Sequence, residues 1–314
     1  MRSKSSSVFL TGLKYLESAM LSKELIAKLR HLEISTKKLV ADMLAGQYHS
    51  VFKGSGMAFS EVRPYQPGDE IRIIDWNVTA RMNEAFVKVF SEERELTVFM
   101  LVDLSSSLQF GSRVQSKAEV CAEITAQIAF SAIANGDRVG ALLFTDCIEK
   151  LLIPKRGRKH VMRLISDLMS HKPQGTQTNL SMALAALSHA ITRRSVVFII
   201  SDFLDQGFED KLKVAAKKHD IIPVIIEDAF ERDFPSVGLV SFEDSETGER
   251  LLVDTSSPAV REQFRLQREQ LSHAREQIFK RLNMDSVLLS PGEANGLALQ
   301  RFFRQRARRL RRAA

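Results

Sequence analysis

Apolar runs and amphipathic segments alternate along the last two thirds of the chain. Residues 96–102 read LTVFMLV and residues 195–200 read SVVFII. Unbroken apolar runs of this length are typical of strands that are buried on both faces, as in a parallel sheet. Between the two runs, Ser116 and Glu119 form a capping box and Asn135-Gly136 is a helix stop. The sequence therefore predicts a helix over residues 116–135.

The same alternation continues on both sides of the second apolar run. Further helices are predicted over residues 158–170, 179–193 and 207–219, and further strands over 138–145, 148–153 and 221–226. Two short strands, 237–242 and 250–254, precede a long helix that opens at Ser257-Pro258 and whose many charges favour a solvated face. Residues 287–289 predict a last strand. Together these elements predict an α/β fold with a doubly wound, mostly parallel sheet.

The first 95 residues follow a different pattern. Residues 1–50 are predicted to be helical, because Leu21, Leu25 and Leu29 recur at near-helical spacing. Residues 51–95 are rich in the turn residues glycine and proline, with short β-type runs between them. We therefore expect two parts: a helical segment plus a turn-rich β subdomain over residues 1–95, and the α/β domain over residues 96–314.

Composition narrows the class of protein. Hydrophobic residues make up 44% of the 314-residue chain, which is enough for a packed core, and the two cysteines have no zinc spacing. No stretch approaches the ~18 apolar residues of a membrane span. We therefore expect a cytoplasmic protein without a transmembrane segment or a disulfide framework.

The positive charge is concentrated at the C-terminal end. The formal net charge is +7, and residues 295–314 hold seven arginines and no acid, so the rest of the chain is formally neutral. This segment predicts a helix that packs Leu299, Phe302 and Phe303 on the domain and turns its arginines outward. Contact of this tail with nucleic acid or an anionic lipid surface is the alternative interpretation.

Oxygen-bearing side chains follow the two buried strands. Asp103, Ser105 and Ser107 come directly after the first strand, and Asp202 comes after the second. The segment 175–180, just before a predicted helix, adds two threonines. Ligands of open α/β sheets bind beyond the carboxyl ends of the strands, and hard oxygen donors suit Mg²⁺ or Mn²⁺. The sequence therefore predicts a divalent-metal site here, although the positive end of the following helix disfavours a cation.

The order Asp103-x-Ser105-x-Ser107, then Thr178, then Asp202 resembles the metal-ion-dependent adhesion site of von Willebrand factor type A domains. Thr178 is preferred to Thr176 because it lies five residues before an Ala-Leu pair, as the threonine of that family does. The resemblance implies a von Willebrand factor A-like fold and a non-enzymatic module that binds proteins through the metal.

A second resemblance rests on residues 54–81. The runs GSGMAF, VRPYQPGD, RIIDW and TAR are similar to the bacterial "domain of unknown function 58" family. This resemblance implies a MoxR-type AAA+ ATPase as partner, with the chain as adaptor or co-chaperone for an unknown client protein. The charged and aromatic residues of the segment are then candidates for partner binding, or else they fix the shape of a turn-rich subdomain: Arg63, Tyr65, Asp69, Arg72, Asp75, Trp76 and Arg81.

An enzymatic alternative also starts from Asp103. An aspartate after a first parallel strand, beside Mg²⁺, is how aspartyl-phosphate phosphatases begin, and Asp103 would be the nucleophile. Such enzymes need a second acid two positions on, where this chain has Ser105, and the sequence offers no clear phosphate-binding lysine. We therefore expect no catalytic residue and no small-molecule substrate.

Overall fold

A computed structural model of the protein describes residues 58–82, 84–91, 96–111, 115–243 and 250–313. The chain divides into a smaller unit, Phe52–Leu96, and a larger unit whose α/β part starts at Thr97. The predicted helices of residues 1–50 and the first residues of the 54–81 signature lie outside the described residues.

The smaller unit is an antiparallel strand pair with a short helix between its strands. Strand β1 (Ala58–Pro64) pairs with β2 (Phe86–Ser91), and α1 (Trp76–Met82) lies between them in sequence. The Asp75 carboxylate accepts the backbone N–H groups of Asn77 and Val78, which stabilises the start of α1. The described part of the smaller unit thus contains the short strands expected between its glycine- and proline-rich turns.

The larger unit contains eight strands and seven α-helices in its described part. Its strands are β3 (Thr97–Asp103), β4 (Arg138–Phe144), β5 (Ile148–Lys155), β6 (Val196–Ser201), β7 (Asp220–Ile226), β8 (Leu239–Glu243), β9 (Arg250–Asp254) and β10 (Val287–Leu289). Its helices are α2 (Lys117–Ala134), α3 (Arg158–Ser170), α4 (Leu180–Ala190), α5 (Glu209–Lys218), α6 (Ala229–Arg232), α7 (Pro258–Arg281) and α8 (Asn295–Ala313).

Six of these strands form one sheet in the order β10-β7-β6-β3-β4-β5. All neighbours are parallel except β4 and β5, which are antiparallel. In chain order this is 3-2-1-4-5-6, the order of a doubly wound sheet, whose direction of winding reverses between β3 and β6. The predicted α/β class with a doubly wound, mostly parallel sheet is confirmed. Strands β8 and β9 form a separate antiparallel pair.

Helices cover both faces of the sheet, which is why its central strands are apolar throughout. On one face, α4, α5 and Phe279 of α7 pack against Phe99 and Val197. On the other face, α2 contacts α3 and α8, and Phe303 of α8 meets Phe198 edge to face with ring centroids 6.3 Å apart. Burial of each central strand on both sides matches the unbroken apolar runs.

One of the two expectations about the C-terminal helices is wrong in part. The charged helix α7 has the expected solvated face, and its other face packs on the domain through Phe279, which contacts Phe203, and the buried Arg275. In α8, Phe302 and Phe303 are buried as predicted, but Arg306 is buried as well and does not point outward. Its guanidinium pairs with Asp220 and with Asp285, so the helix is held by ion pairs in addition to its apolar face. No described helix is both long and apolar enough to cross a membrane.

Candidate metal centre

The candidate site lies where the winding of the sheet reverses. Asp103 is the last residue of β3, and Asp202 follows Ser201, the last residue of β6. Because β3 and β6 are parallel neighbours, the two apolar runs deliver both carboxylates to the same edge. Sequence reasoning placed both residues correctly, since the side chains that follow buried parallel strands must meet there.

Asp103 is fully buried and bound by neutral donors. Its Oδ1 accepts the backbone N–H of Ser105 at 2.9 Å, and its Oδ2 accepts the Ser201 hydroxyl at 2.6 Å. Burial and then the negative charge of Asp202 raise the pKa of Asp103 to about 7. Among the described residues, no basic side chain pairs with this carboxylate. A buried carboxylate without a counter-charge is a feature that a cation would relieve.

The two serines connect Asp103 to Asp202. Ser105 Oγ and Ser107 Oγ lie 3.1 Å apart, and the Ser107 hydroxyl donates to Asp202 Oδ2 at 2.7 Å. The structure therefore brings four of the five predicted ligands into one hydrogen-bonded chain. Sequence reasoning missed Ser201 as a member of this hydrogen-bonded chain. Its place at the end of β6, directly before Asp202, could have indicated that its hydroxyl lies near the carboxylates.

Residues 171–179, between α3 and α4, form the threonine loop, which lies alongside the serines. The Ser106 backbone N–H donates to the carbonyl oxygen of Thr176 at 2.9 Å. Thr178 is half-buried and Thr176 is exposed. The choice of Thr178 over Thr176 as a ligand stays a prediction.

The positive end of α4 disfavours a bound cation less than the sequence suggests. The helix begins at Leu180, after Thr178, and its first amides are already occupied. Asn179 Oδ1 accepts the N–H of Met182, and Asp205 Oδ2 accepts the N–H of Leu180, each at 2.8 Å. These two side chains offset the partial positive charge of the helix end.

A buried glutamate that sequence reasoning missed anchors the threonine loop. Oε1 of Glu149 accepts the backbone N–H groups of Gln174 (2.8 Å) and Gly175 (3.0 Å) and the hydroxyl of Thr145 (2.8 Å). Its Oε2 lies 2.9 Å from Nε2 of His171. Burial alone would raise the pKa of Glu149, but these hydrogen bonds outweigh it and lower the pKa to about 2. Glu149 therefore stays ionised and holds the loop to the β4–β5 hairpin.

Gly175 is required at its position by close packing. A Cβ atom there would overlap Asp146 Oδ1 and Thr145 Oγ1. The loop can approach the end of β4 only because this residue has no side chain.

A buried lysine is the second group that the sequence did not reveal. Lys117, the first residue of α2, is fully buried, and its Nζ lies 3.2 Å from Asp202 Oδ2 and 2.6 Å from Glu231 Oε1. Burial lowers the pKa of Lys117, but the two carboxylates more than compensate, so the pKa is raised and the group is an ammonium. The sequence holds one hint that Lys117 has a special role. A lysine in the first turn of a helix is unfavourable, because its charge opposes the helix dipole.

These residues fit a hard divalent cation. The donors are carboxylate and hydroxyl oxygens, and one of the two carboxylates lacks a counter-charge. In the described ranges, no three His, Cys, Asp or Glu side chains form a cluster that could hold a metal. The candidate centre therefore depends on two aspartates with hydroxyl ligands, not on a set of carboxylates.

The signature residues of the smaller unit divide into two groups. Arg63 and Asp69 form two parallel hydrogen bonds of 2.7 Å each. Asp75 caps α1, as described above, and so these three fix the local shape. Arg72, Trp76 and Arg81 are exposed, Trp76 by 67%. Tyr65 is half-buried.

The larger unit is thus a doubly wound α/β domain with an oxygen-rich edge. The chain belongs to the DUF58 family, described as "Protein of unknown function DUF58", whose family model matches residues 61–274. Among its relatives is the "Uncharacterized protein Rv1480" of Mycobacterium tuberculosis, 32% identical over 246 residues, which are 77% of each chain. The "Uncharacterized protein YeaD" of Bacillus subtilis is 32% identical over 39% of this chain and 27% of its own length.

Solved structures with a similar course of the chain include the "conserved hypothetical protein BatB" from Bacteroides thetaiotaomicron. It is 13% identical, with a TM-score of 0.45 over 68% of this chain and 99% of that one. The VWA domain of SpRpn10 is 15% identical, with a TM-score of 0.33 over 42% of this chain and 76% of that one.

Proposed function

We propose that the protein is a non-enzymatic, divalent-metal-dependent protein-binding module of the cytoplasm. It would act with a MoxR-type AAA+ ATPase, as adaptor or co-chaperone for a client protein. The observation that carries this proposal is the hydrogen-bonded chain from Asp103 through Ser105 and Ser107 to Asp202 at the reversal point of the sheet. The family resemblance supports the ATPase as partner.

The residues of the site have separate tasks in this proposal. Asp103 and Asp202 supply negative charge, while Ser105, Ser107 and Thr178 supply neutral hydroxyl oxygens. A bound Mg²⁺ or Mn²⁺ would supply a positive centre that attracts a carboxylate of the partner protein. The protein holds both carboxylates in place: the Ser201 hydroxyl and the Ser105 N–H donate to Asp103, and the Ser107 hydroxyl donates to Asp202.

Three features favour binding over catalysis. Asp103 has no exposed surface, and both of its carboxylate oxygens accept hydrogen bonds. Ser105 stands where an aspartyl-phosphate phosphatase would need its second acid. Lys117 is close enough to be considered as a phosphate-binding lysine, but it is buried and bound to Asp202 and Glu231. A phosphoryl group would have to displace both carboxylates to reach it.

A second surface, on the smaller unit, is available for partner binding. Arg72, Trp76 and Arg81 are exposed, and Trp76 leaves a large aromatic side chain in contact with water. Tryptophan and arginine are the residues most enriched in binding hot spots. We therefore assign a metal-independent contribution to partner binding to these three residues.

Pull-down of the MoxR-type ATPase separates the two surfaces. Wild-type protein should recover the ATPase in Mg²⁺ or Mn²⁺ and lose it in excess EDTA. Asp103→Ala and Ser105→Ala should lose it even with metal present. Undiminished recovery by these variants and in EDTA would refute metal-dependent recognition. Loss in Trp76→Ala alone would then move the interface to the smaller unit.

A further inference from the structure

We propose that Lys117 is a built-in counter-cation of the candidate metal centre, and that its ammonium lowers the affinity of the site for a divalent ion by holding Asp202. This inference rests on the proposed function, because it concerns the same site. It assigns a role to a side chain that the ligand set Asp103, Ser105, Ser107, Thr178 and Asp202 does not include.

The geometry places the ammonium on an atom that the site itself uses. Lys117 Nζ lies 3.2 Å from Asp202 Oδ2, and the same oxygen accepts the Ser107 hydroxyl at 2.7 Å. The ammonium thus occupies part of the coordinating capacity of Asp202. A divalent ion that binds Asp202 must either share this oxygen with Lys117 or displace it.

The charges of the site are unevenly compensated. Asp202 faces an ammonium, whereas Asp103, which is also buried, has no basic partner among the described residues. A buried charge is tolerated when it is paired, so Lys117 stabilises Asp202 without any ion. The same positive charge repels a second cation, because Coulomb interactions are weakly screened in a buried site.

The lysine is anchored from its other side. Glu231 Oε1 lies 2.6 Å from Lys117 Nζ, while Glu231 Oε2 accepts the N–H of Asp228 in the capping box of α6. The carbonyl oxygen of Glu231 accepts Arg268 Nε of α7 at 2.7 Å. Glu231 is therefore fixed, and it can keep the ammonium paired when Asp202 binds an ion. The metal affinity then depends on how the ammonium is shared between Asp202 and Glu231.

Two substitutions shift this sharing in opposite directions. Lys117→Met removes the competing charge and should tighten Mg²⁺ and Mn²⁺ binding about tenfold or more. Glu231→Gln leaves the ammonium to Asp202 alone and should weaken binding by a similar factor. Lys150→Met is the matched control: it makes the same change of formal charge at the Lys150–Asp167 pair and should leave the affinity unchanged.

Isothermal calorimetry with each metal ion, and the rise of Tm on adding the ion, measure the effect on the full chain. Lys117→Met should have a lower Tm than wild type in EDTA and yet a larger rise with Mg²⁺. If Lys117 had a merely structural role, the substitution would lower both the Tm in EDTA and the rise of Tm with Mg²⁺.

The outcomes separate this inference from the proposed function. If wild type binds the ion, Asp103→Ala does not, and Lys117→Met binds equally or more weakly, the inference is overturned and the metal site stands. If neither wild type nor Lys117→Met binds, both fail. If Lys117→Met does not fold, Glu231→Gln decides, and equal or tighter binding by that variant overturns the inference.

Discussion

Ser107 and Asp202 are 95 residues apart in the chain and are joined by a 2.7 Å hydrogen bond from the Ser107 hydroxyl to Asp202 Oδ2. The bond links the loops that follow β3 and β6, and it places a neutral oxygen beside a carboxylate. Ser107→Ala should weaken metal binding and destabilise the fold by only about 1 kcal/mol, because Ser107 is half-buried. Urea unfolding and calorimetry on one sample measure both effects. A large loss of stability would make Ser107 a structural residue.

Asp103→Ala should abolish Mg²⁺ and Mn²⁺ binding while the protein still folds. The side chain lies at the edge of the sheet, and its removal also relieves repulsion between two buried carboxylates. The control is Asp210→Ala, an exposed aspartate whose loss makes the same change of net charge. Calorimetry that finds equal affinity for wild type and Asp103→Ala would show that the site is wrongly placed.

Glu149→Gln should destabilise the protein by about 1–3 kcal/mol at pH 7, because the buried acceptor loses its charge while it holds two backbone amides. The pKa of Glu149 is lowered from its ordinary value of 4.5 to about 2 on folding. Its ionised form therefore stabilises the fold fully above pH 4.5 and progressively less as the pH falls toward 2. The stability difference between wild type and variant, measured by urea unfolding, should shrink between pH 5 and pH 3. A difference that does not change with pH would contradict this assignment.

Gly175→Ala should displace the threonine loop, because the added Cβ would overlap Asp146 and Thr145. We expect a metal affinity reduced about tenfold, since the loop carries Thr178. The comparison variant is Gln177→Ala, at an exposed position of the same loop. If both variants bind the ion as wild type does, Thr178 is not a ligand.

Phe303→Ala should cost about 3–5 kcal/mol, because the ring is buried against Phe198. Arg304→Ala, at an exposed position of the same helix, should change the stability by less than about 0.5 kcal/mol. Removing residues 300–314 should likewise lower Tm clearly. Its effect on any affinity for nucleic acid should be the smaller one. An unchanged Tm after truncation would favour the tail as a free anionic-surface binder.

The fold and the two aspartates were predictable because their signals are local. The apolar runs that end at Asp103 and Asp202 define buried parallel strands, and the capping box at Ser116 sets the start of α2. The roles of Lys117 and Glu149 were not predictable, because they depend on partners brought close by the fold. Lys117 meets Glu231, which lies 114 residues further along the chain. The sequence shows the type of each residue, but it does not show with which distant residue its side chain forms an ion pair or a hydrogen bond.

The burial of Arg306 could not be predicted for the same reason: it depends on distant partners. An arginine among other arginines at helical spacing looks like a member of a solvated face, and nothing nearby in the chain distinguishes it. Asp220, at the start of β7, and Asp285, before β10, both pair with Arg306, while Asp285 also pairs with the exposed Arg309. Long-range ion pairs of this kind decide which charge of a uniform stretch is buried.

The position of β3 in the middle of the sheet has a consequence for the order of assembly. During synthesis, the segment that carries Asp103 leaves the ribosome long before β6 and Asp202, so a nascent chain that ends before Val196 has one carboxylate of the site and lacks the other. Ser107 then lacks its carboxylate acceptor, and Lys117 lacks both of its acids. The proposed metal site is therefore complete only in chains in which β6 has joined β3 at the centre of the sheet.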